Sequence, residues 1–177
     1  MPTVPPRVLR LLKKGLEQVL HPRRPASTPS PRDGSGPATL EAPAYPGDFD
    51  GPVSIVYDPH PDGEPDPGEI VWAWVPYEED HTRGKDRPVL LIGHDGPWLL
   101  ALQLTSKDRD RNAAHELRQG RIWIDIGSGA WDHRGRPSEA RVNRILRIAP
   151  DAIRREGAVL DEAVFTEVAA AVEAALS

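Results

Sequence analysis

Proline is the residue that most restricts the fold of this chain, because it neither continues an α-helix nor fits the centre of a β-sheet. Most of the 20 prolines in the 177-residue sequence fall within the first 70 positions. Residues 22–47 are mostly Pro, Ser, Arg and Gly, and an acidic tract covers residues 58–67, with one short apolar run, 53–57, between them. We therefore expect residues 22–66 to be a linker with an acidic lead-in, and residues 67–177 to form a folded domain.

Residues 1–21 carry the pattern of an amphipathic helix. Apolar side chains recur at helical spacing between residues 8 and 20, basic residues such as Arg10 and Lys14 lie on the other faces, and Pro22 ends the segment. Such a helix docks on the domain or is loosely tethered; a membrane-surface or partner-binding helix is the alternative, because the polar face is basic. The chain has no apolar segment typical of a signal peptide or membrane span and no cysteine, so we expect a soluble cytoplasmic protein.

The net charge of −5 conceals a segregated distribution of charge. Residues 1–40 hold seven Lys and Arg against two acids, and residues 41–69 hold eight acids and no Lys or Arg. The remainder holds 15 basic and 17 acidic residues. An acidic average therefore does not exclude a local site for phosphate.

Five short runs after residue 68 read as β-strands, because they are rich in β-branched and aromatic residues or alternate polar and apolar side chains. Turn residues separate the second run from the third, which predicts a hairpin. A helical turn is expected around residues 113–116, between the third run and the fourth. The five runs cover residues 69–75, 88–92, 98–104, 121–126 and 142–148.

Two helical segments are expected near the C-terminal end. The first covers residues 150–156 and ends at Gly157, and the second begins at the capping residue Asp161. Five strands followed by a helix predict an α+β domain, a small, mostly antiparallel and partly closed β-barrel with a C-terminal helix. The apolar stripe of that last helix consists of Val164, Phe165, Val168, Ala169, Val172 and Leu176.

Arg87 and Thr105 stand at the ends of two neighbouring predicted strands. Arg87 precedes Pro88, which favours an extended backbone where the strand begins, and Thr105 and Ser106 follow the third strand. If the two strands lie side by side, a guanidinium and a hydroxyl converge at one edge of the sheet, which suits a phosphate. The hydroxyls are better suited to holding a ligand than to nucleophilic attack, because they lack a nucleophile elbow. An arginine that only blunts pairing at a sheet edge is the alternative.

None of the six histidines has the spacing of a metal site, and the acidic tract lacks the closing glutamate of a calcium loop. We therefore expect no metal and no cofactor. His81 follows Glu78, Glu79 and Asp80, which makes it a candidate local proton carrier. A loop histidine paired with an acid is the alternative.

Three motifs in order resemble the PemK/MazF family of toxins from bacterial toxin–antitoxin pairs. They are Gly68-Glu69-Ile70-Val71-Trp72, Gly84-x-x-Arg87-Pro88-Val89-Leu90-Leu91-Ile92 and Leu104-Thr105-Ser106. Residues 138–148 resemble a strand segment typical of the family, and residues 157–172 resemble its last turn and helix. The likeness covers residues 67–176. It implies an SH3-like barrel and a homodimer that is neutralised by a cognate antitoxin protein.

The resemblance also implies cleavage of single-stranded RNA without a metal, leaving 2′,3′-cyclic phosphate and 5′-hydroxyl ends. Arg87 matches the family's arginine and Thr105 its hydroxyl residue, with Ser106 as a second donor. The candidate base is His81 or a nearby acid, Glu79 or Asp80. Residues expected to bind the RNA are the neighbouring basic side chains Arg83, Lys85 and Lys107.

The chain departs from the family pattern at two places, which leaves base preference and the identity of the general base open. Residues 79–84 read Glu-Asp-His-Thr-Arg-Gly instead of the family's Gly-x-Glu-Gln-Gly, and Asn143 and Arg144 replace an acid and a glutamine. Two other functions therefore remain as alternatives. One is a non-catalytic interaction protein of the CcdB type, which poisons DNA gyrase; the other is a degenerate toxin-like domain whose N-terminal helix recruits a membrane or a partner.

Overall fold

The computed structural model describes residues 45–107 and 113–177. The helix expected over residues 1–21 lies outside this part, as does the linker as far as residue 44. No helix of the described part is both long and apolar enough to cross a membrane. The described strands are β1 Glu69–Pro76, β2 Gly84–Asp95, β3 Trp98–Thr105, β4 Trp123–Gly127, β5 Ser138–Ile148 and β6 Ile153–Val159, and the helices are α1 Ala113–Arg118 and α2 Glu162–Ala175.

The strands form one antiparallel sheet in the order β4-β5-β3-β2-β1-β6. The predicted hairpin joins β2 to β3, with Asp95 paired to Trp98 beside the turn. Irregularities interrupt the register of β3 with both of its neighbours, and such bulges bend a sheet. The sheet curls into a half-barrel with α2 at its C-terminal end, which confirms the predicted mostly antiparallel α+β fold.

Side chains that alternate along the strands build two apolar clusters on opposite faces of the sheet. On β2, Leu90 and Ile92 belong to the larger cluster, which includes the buried side of α2. Val89 and Leu91 belong to the smaller cluster, to which β1, β3 and β5 also contribute aliphatic residues. Burying both faces explains why the runs of β2 and β3 are apolar at nearly every position.

The expectation of a helix over residues 150–156 is wrong. A short 3-10 turn, Pro150–Ala152, is followed by a sixth strand, β6, which pairs with β1 in antiparallel register. Proline suits the first position of such a turn because it has no N–H to leave unbonded. Without β6, the outer edge of β1 would carry a row of unpaired backbone groups, so tertiary pairing overrides the local preference for helix.

Helix α2 begins where the sequence predicts. The Asp161 carboxylate accepts hydrogen bonds from the backbone N–H groups of Ala163 and Val164, at 3.0 and 3.4 Å. Leu176, which was expected in the apolar stripe, is 49% exposed because α2 ends at Ala175. The buried side chains of α2 are Phe165, Val168, Ala171 and Val172.

Residues 45–57, here called the lead segment, pack on the domain although they read as linker. The Phe49 N–H donates to the Ile145 carbonyl at 2.8 Å, as one bridge to β5, and the Tyr57 hydroxyl donates to the Leu160 carbonyl at 2.8 Å. The division of the chain at residue 66 stays a prediction, but the lead segment contributes to the core. Its residues packed against the larger cluster are Phe49, Val53, Ile55 and Tyr57.

Candidate functional site

Arg87 lies in β2 at the point where two surface grooves meet. Its backbone pairs with Ala73 of β1, and Pro88 follows it in the strand. The strand extends further towards the N-terminus than predicted, since β2 begins at Gly84. The Arg87 side chain is half-buried and lines both grooves.

The first groove, here called the hydroxyl groove, has a volume of about 270 Å3. The end of β3 and the loop between β4 and β5 meet across it. The polar side chains that line it include Arg87, Thr105, Ser106, Lys107, His133, Arg134 and Arg136. Four of the predicted site residues therefore share one groove.

The register of the sheet explains why Arg87 and Thr105 share this groove. Val89 of β2 pairs with Gln103 of β3. Arg87 lies two residues before Val89, and Thr105 lies two residues after Gln103, so both side chains lie on the same face of the sheet. A cation and a hydroxyl converge there, as expected for adjacent strands.

The Thr105 side chain is buried and has a defined hydrogen bond. Its Oγ1 accepts from the backbone N–H of Lys107 at 3.2 Å, and the residue is 5% exposed. A hydroxyl that accepts such a bond keeps its own proton for donation. Thr105 is thus arranged to donate to an anionic oxygen in the hydroxyl groove.

A basic loop that sequence reasoning missed lines the same groove. The Asp132 carboxylate organises it by accepting from the Arg134 N–H at 2.8 Å and from the Arg136 Nε at 2.9 Å. The Arg134 bond, reinforced by the Arg136 guanidinium, lowers the pKa of Asp132. The sequence signal was available, because His133, Arg134 and Arg136 stand close together in a polar stretch between two strands.

The second groove, here called the arginine groove, has a volume of about 210 Å3. Its arginines come from three separate parts of the chain, so no local motif announces them. Only Arg87 was identified from the sequence. The polar residues that line it include Glu78, Arg87, Gln103, Arg121, Arg141 and Arg144.

Glu78 and Arg141 form a bidentate ion pair in the arginine groove. Arg141 Nη1 and Nη2 donate to the two carboxylate oxygens of Glu78 at 2.8 and 2.9 Å. Arg121 Nε lies 3.8 Å from the same carboxylate. The hydrogen bonds from Arg141 outweigh the effect of burial and lower the pKa of Glu78, so the carboxylate is ionised at neutral pH.

Arg144 is buried between the lead segment and the end of β1. Its guanidinium donates to the Asp48 carboxylate at 2.7 and 3.1 Å and to the Pro76 carbonyl at 3.0 Å. Asp48 also accepts from the Tyr45 hydroxyl at 2.5 Å. Burial raises the pKa of Asp48, but the bonds from Arg144 and Tyr45 outweigh it, so the net shift is downward. Burial and the bond to Asp48 raise the pKa of Tyr45.

Three predicted site residues lie outside the two grooves. The His81 ring packs edge-on against Tyr45, with 5.1 Å between the ring centroids. The Arg83 guanidinium lies over the Tyr77 ring at 5.9 Å from its centroid. Lys85 is exposed on β2, near the entry of that strand. The structure therefore does not bring His81, Arg83 or Lys85 to the lining of the groove that holds Arg87 and Thr105.

Asn143, where the chain departs from the family pattern, has a structural role. Its side-chain oxygen accepts from the Ile122 N–H at 3.1 Å and from Arg141 Nε at 3.3 Å. Its amide also donates to the Gly120 carbonyl. The residue therefore anchors the approach to β4 and helps to orient Arg141.

Within residues 45–107 and 113–177, no three histidine or acidic side chains are grouped so as to hold a metal ion.

The chain matches the family model for the PemK-like, MazF-like toxin of type II toxin–antitoxin systems over residues 66–176. Among proteins with curated descriptions, none matches significantly.

Several solved toxin structures resemble the chain at low sequence identity. An endoribonuclease in complex with its cognate antitoxin from a mycobacterial species is 15% identical, with a TM-score of 0.45 over 63% of this chain and 94% of that one. The MazE–MazF structure from Deinococcus radiodurans is 19% identical, with a TM-score of 0.45 over 65% and 97% of the two chains. The Mycobacterium tuberculosis toxin MazF-mt6 is 15% identical, with a TM-score of 0.39 over 60% and 94%.

Proposed function

The chain belongs to the PemK/MazF family of toxins from type II toxin–antitoxin systems, and on that premise we propose that it is an endoribonuclease that cuts single-stranded RNA without a metal ion. The observation that carries this proposal is that Arg87 and Thr105 line one groove. RNA supplies its own nucleophile, the 2′-hydroxyl, so the protein needs to position the phosphate and stabilise its charge.

The proposed reaction is an in-line displacement at phosphorus. The 2′-oxygen forms a bond to phosphorus as the bond to the 5′-oxygen breaks, a base takes the 2′-hydroxyl proton, and the leaving oxygen gains a proton from water. The products are a 2′,3′-cyclic phosphate and a 5′-hydroxyl. Arg87 offers two parallel N–H donors to the oxygens on which charge develops, and the Thr105 hydroxyl holds a non-bridging oxygen.

The other polar residues of the hydroxyl groove suit the binding of the RNA backbone. We assign Ser106 as a second hydroxyl donor and Lys107 as a contact to phosphate, as the resemblance implies. Arg134 and Arg136, in the loop between β4 and β5, add positive charge to the lining of this groove. His133 lines the groove, whereas His81 packs against Tyr45, so we assign the proton transfer to His133 rather than to His81.

We infer the binding partners of the protein from its family and not from an interface in the structure of the single chain. We propose that the protein acts as a homodimer in the cytoplasm and that a cognate antitoxin protein neutralises it. Two of the similar structures are an endoribonuclease in complex with its cognate antitoxin and MazE–MazF. Co-expression with the adjacent open reading frame, followed by size-exclusion chromatography, tests both the stoichiometry and the partner.

Cleavage of a defined single-stranded RNA in the presence of EDTA tests the proposed activity. The wild type should cut it, and Arg87→Ala should lower the rate by about 10²–10³ because one donor to the developing charge is lost. Arg118→Ala is a matched control, since Arg118 is exposed on α1 and is not among the residues that line the two grooves. Activity that requires added metal, or equal rates for wild type and Arg87→Ala, would contradict the proposal. Binding of DNA gyrase without RNA cleavage would favour the CcdB-type alternative instead.

A further inference from the structure

The arginine groove contains a buried cation whose outer end is covered by an acid of the chain itself. The Arg141 side chain is 5% exposed, whereas that of its partner Glu78 is 45% exposed. Glu78 lies just after β1, in the loop of residues 77–83 that leads to β2. A buried guanidinium must keep a counter-charge, so Arg141 requires either Glu78 or a ligand of the same charge.

A phosphate can replace the carboxylate without leaving Arg141 unpaired. Both groups present two oxygens to the planar fork of a guanidinium. Arg121 faces the same position, with its Nε 3.8 Å from a Glu78 oxygen and its side chain 33% exposed. Two cations therefore converge on a point that the protein fills with its own carboxylate.

The position of the site favours RNA as the ligand. Arg87 lines the arginine groove as well as the hydroxyl groove. A nucleic acid strand held at Arg87 by one phosphate therefore lies at the border of the arginine groove, where a neighbouring phosphate can bind. An acidic peptide has no such connection to the residues proposed for cleavage.

We propose that Arg141 and Arg121 bind the RNA phosphate adjacent to the scissile phosphate, and that Glu78 closes this subsite in the free protein. The inference rests on the proposed ribonuclease function, since it assigns a second phosphodiester of the same substrate. RNA entry then requires Glu78 to turn away from Arg141, which its exposed position in a loop allows.

The pair formed by Asp48 and Arg144 provides an internal comparison. Asp48 is 27% exposed and also accepts from Tyr45, and Arg144 also donates to the Pro76 carbonyl. Both members of that pair are therefore engaged in the packing of the lead segment. Arg144 also lines the arginine groove, but Glu78 is more exposed than Asp48 and meets two arginines, Arg121 and Arg141.

Binding of a 2′-O-methyl RNA, which has no nucleophilic hydroxyl and cannot be cleaved, tests the subsite. Glu78→Gln keeps a hydrogen bond to Arg141 but removes the competing charge, and we expect it to bind roughly tenfold tighter than the wild type. Asp95→Asn, which removes a matched charge from the ion pair of Asp95 with Arg147, should give no such gain because neither of these residues lines either groove. Arg121→Gln, whose side chain is exposed enough to spare the fold, should lower the salt slope of binding by about 0.7, the value for one phosphate contact.

Neutral methylphosphonate linkages then locate the contact. Placed one at a time along the RNA, they should abolish the Glu78→Gln gain at a single position. Unchanged or weaker binding by folded Glu78→Gln would overturn the proposal, and so would a gain lost equally at every linkage. Competition by an acidic peptide that exceeds competition by RNA would also overturn it, in favour of a protein ligand.

Failure of this inference is distinguishable from failure of the proposed function. RNA cleavage that depends on Arg87, together with a Glu78→Gln variant that binds like the wild type, would refute the subsite alone. Tighter binding by Glu78→Gln without any cleavage by the wild type would support the subsite and refute the nuclease. Thermal denaturation of each variant confirms that the proteins compared are folded.

Discussion

Asp48 and Arg144 are 96 residues apart in sequence, yet they form a bidentate ion pair with N–O distances of 2.7 and 3.1 Å. The same guanidinium donates to the Pro76 carbonyl at 3.0 Å. One side chain of β5 thereby joins the lead segment to the end of β1. This contact makes the lead segment a part of the folded unit, although it precedes the region that matches the family.

Removing the Asp48 carboxylate should destabilise the protein. Arg144 is buried, and Asp48→Ala removes the carboxylate that pairs with it while the hydrogen bond to the Pro76 carbonyl stays, so we expect a loss of about 3 kcal/mol in the free energy of unfolding. Urea denaturation at neutral pH measures this loss. Asp151→Ala is the matched control, because Asp151 is exposed in the 3-10 turn and its loss should change stability by less than about 0.5 kcal/mol. Equal effects of the two substitutions would show that the ion pair contributes little.

The contribution of Asp48 should depend on pH in a defined direction. Its pKa is lower in the folded state than in the unfolded chain, where it is close to the ordinary value of about 3.9. Between the two values the unfolded state binds more protons, so stability rises with pH through that window and the contribution is complete above it. The stability difference between wild type and Asp48→Asn should therefore be largest near neutral pH and shrink below pH of about 4. A difference that grows on acidification would contradict this assignment.

The strands could be predicted from the sequence because their residues identify them locally. The apolar runs of β2 and β3 and the alternation in β4 and β5 mark them without reference to the rest of the chain. Strand β6 could not be predicted in this way. Its first residues, Ile153 and Arg154, are compatible with a helix, and only the free edge of β1 makes them a strand.

The candidate site was predictable only where it lies on adjacent strands. The sequence indicates Arg87 and Thr105 because they stand at the ends of two strands that a hairpin makes neighbours. The pair of Glu78 and Arg141 spans 63 residues of sequence, and no local pattern indicates that the two meet. The acids beside His81 in sequence indicate a proton carrier, but its ring packs against Tyr45 and not in the hydroxyl groove.

For catalysis, the hydroxyl group of Thr105 should matter more than the volume of the Thr105 side chain. Thr105→Val removes the donor and also leaves the Lys107 N–H without its acceptor, so we expect the cleavage rate to fall by about 10²–10³. Thr105→Ser keeps the hydroxyl in nearly the same place and should retain activity within about tenfold. Single-turnover cleavage at saturating enzyme measures both rates. If the serine variant is as slow as the valine variant, packing at this buried position rather than hydrogen bonding is responsible.

The two histidines can be separated by their pH–rate profiles. His133 lines the groove with Arg87 and Thr105, so His133→Ala should lower the cleavage rate by about 10²-fold or more and change the shape of the profile. His81→Ala should leave that shape intact, because its ring contacts Tyr45 rather than the groove. Binding of the 2′-O-methyl RNA serves as the control, since a histidine that only shapes the loop would weaken binding and cleavage together. If His81→Ala changes the pH–rate profile and His133→Ala does not, His81, in the loop before Arg87, is the residue that transfers the proton. In that case the loop must move towards the hydroxyl groove when RNA binds.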